Sequence, residues 1–149
     1  MSNTLTITAE GFVGDDPKYF VGEKENKNYV NFRMAHTDRY RDKTGAWVSG
    51  QTTWLSVKAW GTLAENVANS VYKSDPVCVE GHFSMEEYTD KENIVHTVPT
   101  IFANKVLFNM AKGSCTISRN SKNSDIVVDL VSQNDSKNVS VKQKAKSTK

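Results

Sequence analysis

The feature that most limits what this chain can fold into is a change of hydrophobic period near its middle. On both sides of residues 61–72 apolar and polar residues alternate, the period-two pattern of strands with one buried face. "NTLTITAEGFVG" alternates through Leu5, Ile7 and Ala9, and "YVNFRMAHT" through Val30, Phe32 and Met34. "TTWLSVKAW" alternates through Leu55, Val57 and Ala59, and "VCVEGHFSMEEY" through Val77, Val79, Phe83 and Met85. "IVHTVPTIFANKVLF" is a last long strand, with Pro99 suited to an edge or a bulge. Between the third and fourth strands, "GTLAENVANSVY" places Leu63, Val67 and Val71 four residues apart. That spacing predicts a helix of about three turns. Pro76 ends it, because proline cannot continue a helix and disfavours helix in the residue before it.

Three strands, a helix and two more strands is the order of an OB-fold. This is an all-β architecture, a five-stranded, partly open Greek-key barrel with one helix between strands 3 and 4. Gly11 and Gly81 fall where bulges are expected, and a strongly bent small barrel needs such bulges. "DDPKYFVGEKENKN" reads as a polar connection, and "DRYRDKTGAWVSGQ" as an extended hairpin centred on a Lys-Thr-Gly turn. A five-strand sandwich is the plainer rival, but it leaves the period change at 61–72 without a cause. No internal repeat is visible.

At 149 residues the chain is long enough for one core and a tail. Charge divides it. Residues 1–113 hold twelve Lys and Arg against fourteen Asp and Glu, a net of −2; residues 114–149 hold seven against three, a net of +4. Lys137, Lys142, Lys144, Lys146 and Lys149 face no acid in the last stretch, which reads as a solvated, disordered tail or otherwise a weak polyanion-binding arm. The expected organisation is a barrel over 1–113, then a possible extra strand and a flexible basic tail over 114–149. No segment approaches the roughly 18 apolar residues of a membrane span, and no signal-peptide pattern opens the chain. Cys78 and Cys115 are too few and too far apart for a disulfide framework or a zinc site. The expectation is a cytoplasmic protein with free thiols, no membrane association, no metal and no cofactor.

Catalysis is not expected. His36, His82 and His96 are scattered over strand patterns, without a His-Glu-x-x-His, a Cys-x-x-Cys or a phosphate-cradling glycine loop. No Gly-x-Ser-x-Gly elbow appears. Asp15–Asp16 and Glu86–Glu87 sit at loop or hairpin positions, where solvation accounts for them.

The outer face of the third strand is the unusual one. Alternation puts Trp54, Ser56, Lys58 and Trp60 opposite the core, so a cation stands between two large flat rings. In "HFSMEEY", Phe83 and Met85 are expected to point inward, leaving Ser84, Glu86 and Tyr88 outside, with Tyr88 near a hairpin tip. Tyr40 lies between Arg39 and Arg41, with Lys43 and Trp47 close behind. Exposed rings among cations suit a single strand of nucleic acid, whose bases stack while cations follow the phosphates. The bland alternative is that the tryptophans cover a subunit interface or a second hydrophobic layer.

These stretches resemble the bacterial single-stranded DNA-binding proteins over roughly residues 3–113. The resemblance is carried by "DDP", "YVNFRMA", "YRDKTGAW", "TTWLSVKAWGTLAENV" and "VCVEGHFSMEEYTD". A tryptophan strand entering a Gly-x-Leu-Ala-Glu helix start, then an apolar-x-apolar-Glu-Gly strand, is specific in combination and weak piece by piece. By motif, the family's base-stacking positions fall on Tyr40, Trp54, Trp60 and Tyr88, the rings already selected by face. Basic positions near the phosphate path fall on Arg41, Lys43 and Lys73. The resemblance implies a non-enzymatic, sequence-tolerant binder of single-stranded DNA. It also implies a homo-oligomer, a tetramer by preference, acting on the nucleoid in replication, recombination or repair.

The chain also departs from that pattern. Thr62, Ser56, Glu86 and Glu87 stand where basic residues are common in the family, although Lys58 shares the face of Ser56. Each lost phosphate contact lowers the salt slope by about 0.7 for a single strand, so weaker or shorter-footprint binding is expected. The chain ends "SVKQKAKSTK" rather than in an acidic tip, so recruitment of repair enzymes by that route is not supported. "SCTISR" is a candidate extra strand clasping a neighbouring subunit, and "DIVVDLV" a short strand or sticky element. A protein-interaction module that has lost DNA binding, and a binder of single-stranded RNA, stay open as alternatives, since stacking does not read the 2′-hydroxyl.

Overall fold

In a computed structural model, residues 3–23 and 28–118 are described. Six strands and one helix follow in the order β1 (Thr6–Val13), β2 (Lys18–Phe20), β3 (Tyr29–Arg41), β4 (Trp47–Trp60), α1 (Gly61–Ser70), β5 (Pro76–Thr89) and β6 (Val95–Phe108). The sheet runs β1-β5-β6-β4-β3-β2, and β1 also pairs with β3 through Phe12–Ala35 and Val13–Met34. That second pairing closes β1, β5, β6, β4 and β3 into a ring. All pairings are antiparallel except β4 with β6, which meet over Ser56–Lys58 and Thr100–Phe102. This is the OB-fold, with the helix between β4 and β5.

The alternation expected from sequence fills the barrel. Val30, Phe32 and Met34 of β3, Leu55, Val57 and Ala59 of β4, Val77 and Val79 of β5, and Ile101 of β6 are buried together. Helix α1 adds Ala64 and Val67, with Val71 at its end; its last turn closes where Val71 N–H donates to Val67 O at 2.9 Å. Each fully buried aliphatic side chain contributes roughly 1.5–3 kcal/mol, so this set is the main cohesive force.

Several expectations are corrected. The stretch read as a polar connection contains β2, a three-residue strand on β3 whose Tyr19 packs against the core. Met85 is 53% exposed rather than buried, although it keeps the inward phase of Val77 and Val79. The contacts of β5 with the β1 side end at Phe83, whose N–H donates to Leu5 O at 2.8 Å, so at Met85 β5 has only β6 beside it. Leu5, expected to point inward, precedes β1 and is exposed as well. Gly11 is not a bulge, because the β1–β5 register runs through it without a shift. It is instead a close approach: a Cβ there would run into the Ala35 carbonyl oxygen, where β1 crosses to β3. Gly81 does lie at a register shift, between Glu80 and Gly81 against β6. Pro99 sits inside β6, immediately before the parallel pairing with β4 begins at Thr100.

Beyond the barrel, two hairpin arms extend. One is β3–β4, paired out to Arg41–Trp47 around a turn where Asp42 Oδ1 accepts from Thr44 N (2.8 Å) and Ala46 N (3.1 Å). The other is β5–β6, paired out to Thr89–Val95, where Asp90 Oδ1 likewise holds Glu92 N and Ile94 N. The barrel and both arms lie within one compact unit, Met1–Ser114. Residues 115–118 carry no strand or helix, and "DIVVDLV" and the basic end lie outside the described residues.

Candidate nucleic-acid interface

On β4 the burial alternates as expected: Leu55, Val57 and Ala59 are buried, Ser56 and Lys58 half-buried, and Trp54 and Trp60 are 48% and 45% exposed. Register extends this outer face to both neighbours. Across β3, Tyr29 stands opposite Trp60, Asn31 opposite Lys58 and Arg33 opposite Ser56. Across β6, Thr100 and Phe102 pair with Ser56 and Lys58, and on β5 His82 and Ser84 follow beside them.

The rings on this face form a row. Phe20 stacks on Tyr29 (4.7 Å between centroids), Tyr29 on Trp60 (6.3 Å), Trp60 on Phe102 (5.6 Å) and Phe102 on His82 (6.0 Å). One ring thus comes from each of β2, β3, β4, β6 and β5. Of this row only Trp60 was expected from sequence. Alternation on β3 puts Tyr29 outside, but the consecutive apolar Ile101, Phe102 and Ala103 give Phe102 no face by alternation, and Phe20 lay in a stretch read as a connection.

At the other end of β4, Trp54 is held on two sides. The Arg33 guanidinium lies 4.9 Å from its ring centroid, and Gly14 leaves room for its edge. Arg33 Nε donates to Asp15 Oδ2 at 2.7 Å, and that hydrogen bond keeps the Asp15 carboxyl below the usual range. Lys73 belongs to this corner, where its backbone N–H donates to Asp16 Oδ1 at 2.8 Å. "DDP" therefore fixes the Arg33 guanidinium at Trp54 and the backbone of Lys73, and is more than a solvated loop.

Lys58 is the cation whose expected role changes most. Its Nζ lies 2.7 Å from Glu86 Oε2, and both groups are partly shielded from water. The buried Thr100 hydroxyl lies 3.2 Å from the same oxygen and 3.2 Å from the Val98 carbonyl oxygen, so its one proton is shared between them. Lys58 is thus largely neutralised and does not replace the cation missing at Ser56. Around this pair is a depression of about 470 Å³ lined by Lys58, Glu86, Glu87 and Tyr88 with Asn31 and Ser56. Tyr88, 54% exposed, closes one side and stacks on His96 at 5.0 Å. His96 Nε2 is tied to Asp90 Oδ2 at 2.7 Å, which lowers the Asp90 pKa.

The remaining expected residues lie on the β3–β4 arm. Tyr40 is 53% exposed, Arg39, Arg41, Lys43 and Trp47 are exposed, and the Arg41 guanidinium lies 5.0 Å from the Trp47 ring centroid. None of Arg39, Arg41, Lys43 or Lys73 forms an ion pair with a described residue. Two groups result: Trp54, Trp60 and Lys58 share the barrel face, with Lys73 at its Trp54 end and Tyr88 on the adjoining β5–β6 arm, whereas Arg39, Tyr40, Arg41, Lys43 and Trp47 sit together on the β3–β4 arm. Among the described residues, no three His, Cys, Asp or Glu side chains are grouped to hold a metal ion, and no helix is long and apolar enough to cross a membrane.

The model of the single-strand binding protein family matches residues 3–109. The chain belongs to that family. Among its relatives, single-stranded DNA-binding protein 2 of Tropheryma whipplei (strain Twist) is 33% identical over 90 residues, 60% of each chain. Single-stranded DNA-binding protein 1 of Streptomyces coelicolor is 32% identical over 122 residues, covering 80% of this chain and 76% of that one. The chain spans about 60% of the length of the first such relatives. Among solved structures, the small single-stranded DNA-binding protein from Streptomyces coelicolor superposes with a TM-score of 0.66 at 30% identity, covering 75% of this chain and all of the other. A Plasmodium falciparum SSB in complex with ssDNA shares the fold, with a TM-score of 0.60 at 17% identity.

Proposed function

We propose that this chain binds single-stranded DNA by stacking bases on exposed rings, with no chemical step and little dependence on sequence. The strand lies across Trp54, Ser56, Lys58 and Trp60, passes Tyr88, and meets Tyr40, Trp47, Arg39, Arg41 and Lys43 on the β3–β4 arm and Lys73 beside Trp54. The observation that carries this reading is the row of five rings from Phe20 to His82 on one face of the sheet. A surface that only covers a subunit has no need to align one ring per strand, whereas every base offers a π-face to such a row. The names of the family's members support DNA rather than RNA.

The binding unit is the barrel of residues 1–113, with 114–149 as an appended basic segment. It works as a homo-oligomer, a tetramer by preference, protecting single strands on the nucleoid during replication, recombination or repair. The test is titration of intrinsic tryptophan fluorescence with oligo(dT) and with a duplex of equal length, at two salt concentrations. Strong quenching by the single strand alone, weakening with salt, is expected. Absence of quenching at low salt would assign the tryptophans to a protein interface.

A further inference from the structure

We propose that Glu86 is a built-in competitor for the phosphates of a bound strand. Its carboxylate holds Lys58, the cation between Trp54 and Trp60, and so keeps the affinity of the barrel face low. The proposal rests on the single-strand reading above and assigns Glu86 a role within it.

The sheet brings the two groups together over β6. There Ser56 of β4 and Ser84 of β5 both stand in register with Thr100, and Glu86 stands opposite Val98. Three small side chains side by side leave room above them for two long ones. Lys58 Nζ and Glu86 Oε2 meet there at 2.7 Å, with only 26% and 35% of their side chains exposed. Thr100 is fully buried, with its hydroxyl 3.2 Å from the same carboxylate oxygen. An exposed ion pair contributes little, but this one is partly shielded and tied to a third group, so salt screens it less.

A phosphate approaching Lys58 must therefore compete with a ligand of its own sign that is already tethered to the same sheet. The other cation on this face, Arg33, is likewise paired, with Asp15 at 2.7 Å. Cations without an ion-pair partner among the described residues lie elsewhere: Arg39, Arg41 and Lys43 on the β3–β4 arm, and Lys73 at the Trp54 corner. The barrel face thus meets bases, and the phosphates are neutralised beside it. Glu87 has no part in this, because alternation along β5 turns its side chain away from the face of Glu86 and Tyr88.

The test is a salt titration of oligo(dT) binding by the full chain. Glu86→Gln should bind about fivefold tighter at about 0.1 M salt, with a slope of log K against log salt steeper by about 0.7, because the released Lys58 gains one phosphate contact. The gain should shrink as salt approaches about 1 M. In a Lys58→Ala background, Glu86→Gln should give no such steepening. Glu87→Gln removes the same charge from the same strand and should leave the slope unchanged. A Glu86→Gln slope equal to that of the parent, a steepening matched by Glu87→Gln, or one that survives without Lys58 would overturn the role of Glu86 alone. Failure of the parent chain to bind oligo(dT) would overturn both readings.

Discussion

The guanidinium of Arg33 lies over the ring of Trp54, 4.9 Å from its centroid, while its Nε donates to Asp15 at 2.7 Å. A cation is thereby fixed on one side of the ring by a loop that is not part of the sheet. Trp54→Ala should weaken single-strand binding by about 1–3 kcal/mol, the contribution of one stacked base, without loss of the fold, since the ring is half exposed. Gly14→Ala offers a subtler variant. Its Cβ would lie 2.6 Å from Trp54 Cζ3, so the ring must move. The expected outcome is a shifted tryptophan emission maximum and a loss of affinity smaller than that of Trp54→Ala. Unchanged emission and affinity for Gly14→Ala would mean that the position of this ring does not matter.

Salt dependence separates the cations. Arg41 and Lys43 have no ion-pair partner among the described residues, so Arg41→Ala and Lys43→Ala should each reduce the slope of log K against log salt by about 0.7. Lys58→Ala should change the slope by well under that amount, because Glu86 already neutralises Lys58. A full-size change at Lys58 would show that bound strand displaces Glu86.

The bulge at Gly81 has no room for a side chain. A Cβ would run into the Phe102 carbonyl oxygen and lie 2.8 Å from Ala103 Cα, and backbone atoms in two paired strands cannot yield cheaply. Gly81→Ala should destabilise the barrel by about 1–3 kcal/mol, read as a melting temperature lower by roughly 3–5 °C per kcal/mol for a domain of this size. A melt within one degree of the parent would contradict the close approach of β5 and β6.

His36 of β3 is held through both ring nitrogens, one to Glu10 of β1 and one to Asp38 of its own strand. Nδ1 is 2.7 Å from the Glu10 carbonyl oxygen and Nε2 is 2.9 Å from Asp38 Oδ1; both partners only accept, so the imidazolium, with a proton on each nitrogen, satisfies both contacts. The Glu10 hydrogen bond first, then the Asp38 bond, raises the pKa above its usual value. The sign follows. The contribution of His36 to stability is fully present below the unfolded value of about 6.5 and is lost as pH rises through the raised folded value. Thermal stability should fall over that window, and His36→Gln should flatten the dependence. A His36 titration midpoint by NMR at or below that of an unfolded peptide would exclude the imidazolium.

Much of the barrel was legible because each strand hides one face, so period two survives in the residues themselves. Val30, Phe32 and Met34, or Leu55, Val57 and Ala59, declare their side without reference to any partner. The same alternation placed Trp54 and Trp60 outward, and the period-four spacing of Leu63, Val67 and Val71 marked the helix. What alternation cannot contain is the distance to which a second layer extends. Met85 keeps the inward phase yet faces solvent, because only the sheet pairing decides where the β5–β6 arm leaves the core.

The sequence by itself determined the strand faces, the helix, and the rings and cations available for binding. Tertiary structure alone decided which of them meet. Lys58 and Glu86 are 28 residues apart and neutralise one another only because β4 and β5 flank β6. Phe20, Tyr29, Trp60, Phe102 and His82 become one row only when the barrel closes, since stacking depends on register between strands far apart along the chain.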